Sequence, residues 1–119
     1  MTDRLAELFD NGTSAVAVGD LEAAVLAYEE CVKLDPEFFD GWHALGMTRM
    51  KNGDLPGAIA AGLEATRLRP NDQLAWSSLS LFYARNGQIP EAEAAGAKAR
   101  ILSWGAKLDA GSSRSQNLG

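Results

Sequence analysis

The sequence predicts an all-α chain of three stacked helix-turn-helix repeats, and three observations carry that prediction. First, the chain repeats itself every 34 residues. With Phe39 as position 1, Trp42, Leu45, Gly46, Gly53, Ala58, Ala65 and Pro70 fall at positions 4, 7, 8, 15, 20, 27 and 32. One period on, the same columns hold Trp76, Leu79, Ser80, Gly87, Ala92, Ala99 and Trp104; one period back, Leu8, Asn11, Gly12, Gly19, Ala24, Cys31 and Pro36. The register runs without a gap over 5–38, 39–72 and 73–106, and a period of this length is one helix-turn-helix per unit. Second, apolar residues within each half-repeat recur at spacings of 3 and 4, the helical period. Third, a glycine followed by a polar residue marks the middle of every repeat (Gly19-Asp20, Gly53-Asp54, Gly87-Gln88). That is a helix stop followed by a helix start.

The elements follow in order. Leu5, Leu8, Phe9 and Val16 define a first helix over about 2–18, ended by Gly19. Asp20 caps the second, over 21–34, whose apolar side is Leu21, Ala24, Val25, Tyr28 and Val32 and which Pro36 stops. The same grammar places helices over 38–51, 55–68, 72–85 and 89–103. Pro56 and Pro90 sit in first turns, where the missing N–H has no partner to lose. At position 32 of the third repeat Trp104 replaces the proline, so the last helix is free to run on towards Leu108, although Gly105 weakens that run. From residue 107 to 119 the tail is Ser/Gly-rich and is expected to be disordered.

These columns resemble the tetratricopeptide repeat (TPR), whose pattern is W-x2-L-G-x2-Y, then A-x3-F-x2-A, then P. The second repeat matches best. The third supplies Tyr83 at position 11, and the first keeps its glycines, Ala24, Tyr28 and Pro36 but not the tryptophan. The resemblance implies a right-handed α-solenoid and one domain over 1–106, its concave wall made by the first helix of each repeat. One column departs from the family: position 24, usually aromatic, is Tyr28, then Gly62 and Gly96. A mid-helix glycine costs about 1 kcal/mol against alanine. A trade of volume is expected to offset it, Trp42 with Gly62 and Trp76 with Gly96 standing against Leu8 with Tyr28.

Composition agrees with a single folded domain: 119 residues, 46% apolar and 23% charged. There is no apolar run of about 18 residues and no basic start leading into an apolar stretch. The sequence reading is therefore a cytoplasmic chain with no membrane span. Charge is uneven. The first repeat has eight carboxylates against Lys33, the second has four charges of each sign, and the third sets Arg85, Lys98 and Arg100 against Glu91 and Glu93. An acidic chain of pI near 4.7 is a poor partner for nucleic acid, which needs a clustered basic surface.

Little here points to chemistry. Gly53-x3-Gly57 lacks the Lys-Ser/Thr of a phosphate loop. Cys31 sits in a small-residue core column, so inert packing is expected. His43 has only Asp40 and Met47 one turn away, too few ligands for a metal. No nucleophile with a base is visible, and neither catalysis nor a cofactor is expected.

Function is therefore expected on a surface. Carried over from the TPR resemblance, columns 2, 5, 9, 12 and 13 face the groove. In the first repeat they are Ala6, Phe9, Thr13, Val16 and Ala17; in the second, Asp40, His43, Met47, Met50 and Lys51; in the third, Leu74, Ser77, Leu81, Ala84 and Arg85. The columns with which some TPR domains grip a chaperone's terminal carboxylate read Phe9, Thr13, Ala44, Leu74 and Ser78, so that clamp is absent. An apolar wall with a basic edge suits an amphipathic helix or an apolar peptide of a protein partner, because Met repacks around irregular shapes. Some of these residues, Leu74 and Leu81 above all, have packing between repeats as their alternative role. The alternative function is a self-assembling scaffold. No capping helix follows the third repeat, so Ile101, Leu102, Trp104 and Leu108 are expected to leave an apolar end. That end predicts a dimer, either two-fold through the C-terminal edges or head-to-tail between the third repeat and the acidic first.

Overall fold

The structure is a computed structural model that describes residues 2–107. Six helices follow one another: α1 (Asp3–Ala17), α2 (Leu21–Leu34), α3 (Phe39–Lys51), α4 (Leu55–Leu68), α5 (Gln73–Arg85) and α6 (Ile89–Ser103). Among the described residues there is no strand. Local chemistry sets the boundaries. Thr2, Asp20, Asp54 and Asp72 each accept a hydrogen bond from the backbone N–H three residues on, at 2.9–3.1 Å, satisfying donors that the first helical turn leaves free. Gly19, Gly53 and Gly87 take φ of 82°, 87° and 80°, the left-handed conformation that closes α1, α3 and α5 and that a Cβ would disfavour. The same device ends α6. Trp104 is its cap and Gly105 has φ 88°, so the helix stops at Ser103 instead of running towards Leu108. Leu108 and the Ser/Gly-rich tail lie outside the described residues.

Each helix packs on its neighbours in sequence, and α3 also touches α5. The result is a right-handed α-solenoid of 51 × 34 × 20 Å, only about two helix diameters through its thinnest direction. The joint between repeats is built twice in the same way. The Trp42 indole N–H donates to the Pro36 carbonyl and that of Trp76 to the Pro70 carbonyl, each at 2.8 Å. Arg49 adds a clamp of its own: its guanidinium pairs with Glu29 on α2 at 3.1 Å and donates to the Gly57 carbonyl on α4 at 3.0 Å.

The core corrects the expected volume trade. The Tyr28 ring covers Gly12, where a Cβ would lie 2.5 Å from it. In the second repeat the ring over the equivalent Gly46 is Phe82, which comes from α5 of the next repeat. Gly62 is bare because Phe82 and Leu79 fill its column, at 3.1 Å from a would-be Cβ; Trp42 is not the compensating residue. In the third repeat no ring replaces the tyrosine. Ser80 stands in the glycine column and its hydroxyl donates to the Ala92 carbonyl at 2.7 Å, drawing α5 and α6 together.

The two ends of the array are polar in the columns that are buried inside it. Leu45 and Leu79 are buried at column 7 and Thr48 and Phe82 at column 10, where α1 exposes Asn11 and Ser14. At the other end, Val32 and Thr66 are buried at column 28, where α6 exposes Arg100. Column 21, half-buried as Val25 and Ile59 inside the array, is the exposed Glu93. The expected apolar end is thus interrupted by charge.

Candidate functional site

The inner wall is formed by α1, α3 and α5. In the first repeat Ala6, Phe9 and Val16 are half-buried, while Thr13 and Ala17 are exposed. Phe9 is held by packing, its ring 5.4 Å from those of both Tyr28 and Phe38. Thr13 bonds the Tyr28 hydroxyl at 3.0 Å and donates to the Phe9 carbonyl at 3.1 Å. This end of the wall is therefore braced from behind. In the second repeat His43, Met47 and Met50 are half-buried and Asp40 and Lys51 exposed. In the third, Leu74 (58%) and Leu81 (37%) are exposed along with Ser77, Ala84 and Arg85. The described helices leave both leucines exposed instead of packing them between repeats.

Met47 and Met50 on α3 and Leu74 and Leu81 on α5 are the apolar residues of the expected groove columns, with Lys51 and Arg85 at the ends of the same helices. No ion pair engages either cation among the described residues. The clamp columns are closed to charge: Ala44 packs against the core, and Ser78 is buried beneath His43.

His43 is the one histidine. Its Nε2 lies 3.1 Å from the Ser78 hydroxyl of the next repeat, and its ring stacks on Phe39 of the same helix at 6.0 Å. Burial lowers its pKa by disfavouring the charged ring, while Asp72 and then Asp40 pull the other way. No carboxylate hydrogen-bonds its other nitrogen among the described residues, so the Ser–His pair lacks the third group of a nucleophilic site. Cys31 is fully buried among Leu5 and Leu8, and its pKa is raised by that burial first and by Glu30 second, the state of an unreactive thiol. Among the described residues no three His, Cys, Asp or Glu side chains converge as metal ligands, and no helix is long and apolar enough to cross a membrane.

Sequence reasoning missed a hollow of about 230 Å³ on the opposite face, between α4 and α6. Leu63, Trp76, Leu79 and Tyr83 line it, and Lys98 lies 4.3 Å over the Trp76 ring. Its only sequence signal is the run of small residues on α6. Of the residues expected at the C-terminal end, Ile101 is exposed at 36% and Trp104 at 75%, and Leu102 is half-buried; Leu108 lies outside the described residues.

The sequence profile of the tetratricopeptide repeat matches residues 9–73 and, overlapping them, 43–107. Solved structures share the fold. MamA (AMB-1) superposes with a TM-score of 0.82 at 25% identity, over 89% of this chain and 58% of that one. The TPR2B domain of yeast Sti1, in complex with an Hsp70 peptide, gives 0.81 at 24% identity, over 86% and 82%. The second TPR of Spaghetti (RPAP3), bound to the HSP90 peptide SRMEEVD, gives 0.78 at 17% identity, over 84% and 93%. This chain spans less than two thirds of the MamA structures. No curated protein matches it in sequence.

Proposed function

The chain belongs to the tetratricopeptide repeat family, and from that premise we propose that it is a non-catalytic interaction module, an adaptor or scaffold that holds a peptide or amphipathic helix of a protein partner against its concave wall. One observation supports this reading: Met47 and Met50 on α3 are left half-buried and Leu74 and Leu81 on α5 exposed, in the columns expected to face the groove. Methionines adapt to the shape laid on them, and a helix in such a groove is read by anchors one turn apart. Lys51 and Arg85 at the rim favour acidic residues flanking the apolar stretch. The chaperone-bound relatives support peptide capture as a use of this fold. Their acidic peptides are not the proposed ligand, because Ala44, Leu74 and Ser78 leave no cation in the clamp columns.

Selection of displayed peptides against the protein tests this. Ligands with apolar residues at helical or alternating spacing are expected. The pair M47E/M50E is expected to weaken them about tenfold or more with unchanged far-UV circular dichroism, and SRMEEVD is expected not to bind. An unfolded M47E/M50E would place both methionines in the core instead of the groove.

A second reading, self-association through the C-terminal end, is supported by Trp104, a large ring left 75% exposed.

A further inference from the structure

The open face of α6 is self-complementary. Ile89, Glu93, Arg100 and Trp104 follow one another at spacings of 4, 7 and 4, so they share one side of the helix, with Gly96 at its edge, where a Cβ would meet the Ser80 hydroxyl of α5 at 3.3 Å. Ala92, Ala95 and Ala99, buried against α5, lie on another. Ile89 is 51% and Trp104 75% exposed, and Glu93 and Arg100 are exposed with no ion-pair partner among the described residues. The order is symmetric about the bond between Gly96 and Ala97. Glu93 and Arg100 stand three residues to either side of that pair, Ile89 and Trp104 seven.

We propose that this face is the interface of a two-fold homodimer in which α6 of one copy crosses α6 of the other antiparallel at Gly96 and Ala97. This deepens the self-association reading and is independent of the groove. In an isologous contact residue i meets j and j meets i. Glu93 of each copy then meets Arg100 of the other, and Ile89 meets Trp104, with the small central residues allowing the helices to approach. A fourth repeat in the family register would instead bury Arg100 where inner repeats hold the buried Val32 and Thr66, and half-bury Glu93 where they hold Val25 and Ile59, desolvating charge. Head-to-tail stacking fares no better. It would cover the polar Asn11 and Ser14 of α1, and Leu8 in the tryptophan column has no N–H for the joint that Trp42 and Trp76 make.

Light scattering after gel filtration, with charge reversal, tests the pairing. A dimer is expected at high micromolar concentration. E93R alone and R100E alone are each expected to raise its dissociation constant about tenfold, since each reversal makes two attractive pairs repulsive. E93R/R100E restores both pairs and is expected to recover the dimer. A monomeric wild type, a dimer indifferent to either reversal, or a double variant no better than the singles would each overturn the proposal. Oxidation of Ala97→Cys gives a second readout that needs no charge change. A disulfide-linked dimer is expected from it and none from Asn11→Cys; the opposite pattern would mean that the copies meet through α1. Peptide binding by E93R/R100E separates this outcome from the groove, which neither variant touches.

Discussion

At the residue scale two glycines in one column have opposite roles. Gly62 faces Phe82 and Leu79 at 3.1 Å, and Phe82, 1% exposed and pressed against Gly46 on its other side, has nowhere to move. Gly62→Ala is therefore expected to destabilise by about 1–2 kcal/mol, overpacking outweighing the helix propensity it gains. Gly96 meets only the Ser80 hydroxyl at 3.3 Å. Gly96→Ala is expected to be neutral or to stabilise by up to about 1 kcal/mol. Thermal melts of the two variants separate them, and a stabilised Gly62→Ala would refute the packing argument. His43 carries a pH dependence of known sign. Its folded pKa is lowered by burial, so the unfolded chain binds more protons just below the ordinary histidine pKa of about 6.5. Stability is expected to fall as pH drops through that window. The loss is expected to be smaller in His43→Gln, read from urea midpoints at pH 7.5 and 5.5.

At the element scale Arg49 does for the first two repeats what the Trp–Pro bonds do between repeats. Column 11 is Ala15, Arg49 and Tyr83 in turn, and only the arginine reaches both α2 and α4 from α3. Its side chain is 19% exposed and that of Glu29 37%, so solvent screens the pair in part and the backbone bond to Gly57 matters at least as much. Arg49→Ala is expected to cost about 1–2 kcal/mol, and Arg49→Lys about half of that, because the guanidinium reaches its two acceptors through two separate nitrogens and a lysine keeps the charge on one. Denaturant titration of both variants measures the difference; equal losses would mean that the retained charge contributes nothing and that the forked geometry carries the whole effect. The same economy is visible in the caps. Gln88 starts α6 without a side-chain cap bond, its amide oxygen accepting from Asn86 at 2.7 Å instead, and Pro90 in the first turn leaves fewer N–H groups to satisfy.

For the whole molecule, the first and last described helices differ from those between them. The inner columns hold the buried Leu45, Leu79, Phe82 and Val32 with Thr48 and Thr66, whereas at α1 and α6 the same columns and column 21 carry the exposed Asn11, Ser14, Arg100 and Glu93. Repeat stability is a sum of units and the interfaces between them, so the terminal faces are where solvent, or a second copy, must substitute for a neighbour. The acidic first repeat and the near-neutral third lie at opposite ends of a 51 Å body, far beyond the screening length of about 8 Å at physiological salt. That charge difference cannot act within one chain.

The sequence by itself determined the number of repeats, every helix within a residue of its bounds, the glycine closures and the buried Cys31. Each of these is a local property: periodicity, cap chemistry and backbone conformation act over a few residues, and a fixed period repeats them. What only the tertiary structure decided is which side chain meets which across repeats. Phe82 replaces the ring missing at Gly62, His43 bonds Ser78 two helices away, Arg49 ties Glu29 to Gly57, and Leu74 and Leu81 stay uncovered. Those contacts join residues 8 to 35 positions apart on different helices. Their pairing depends on how close and at what angle the helices approach, and no column of a single sequence records that.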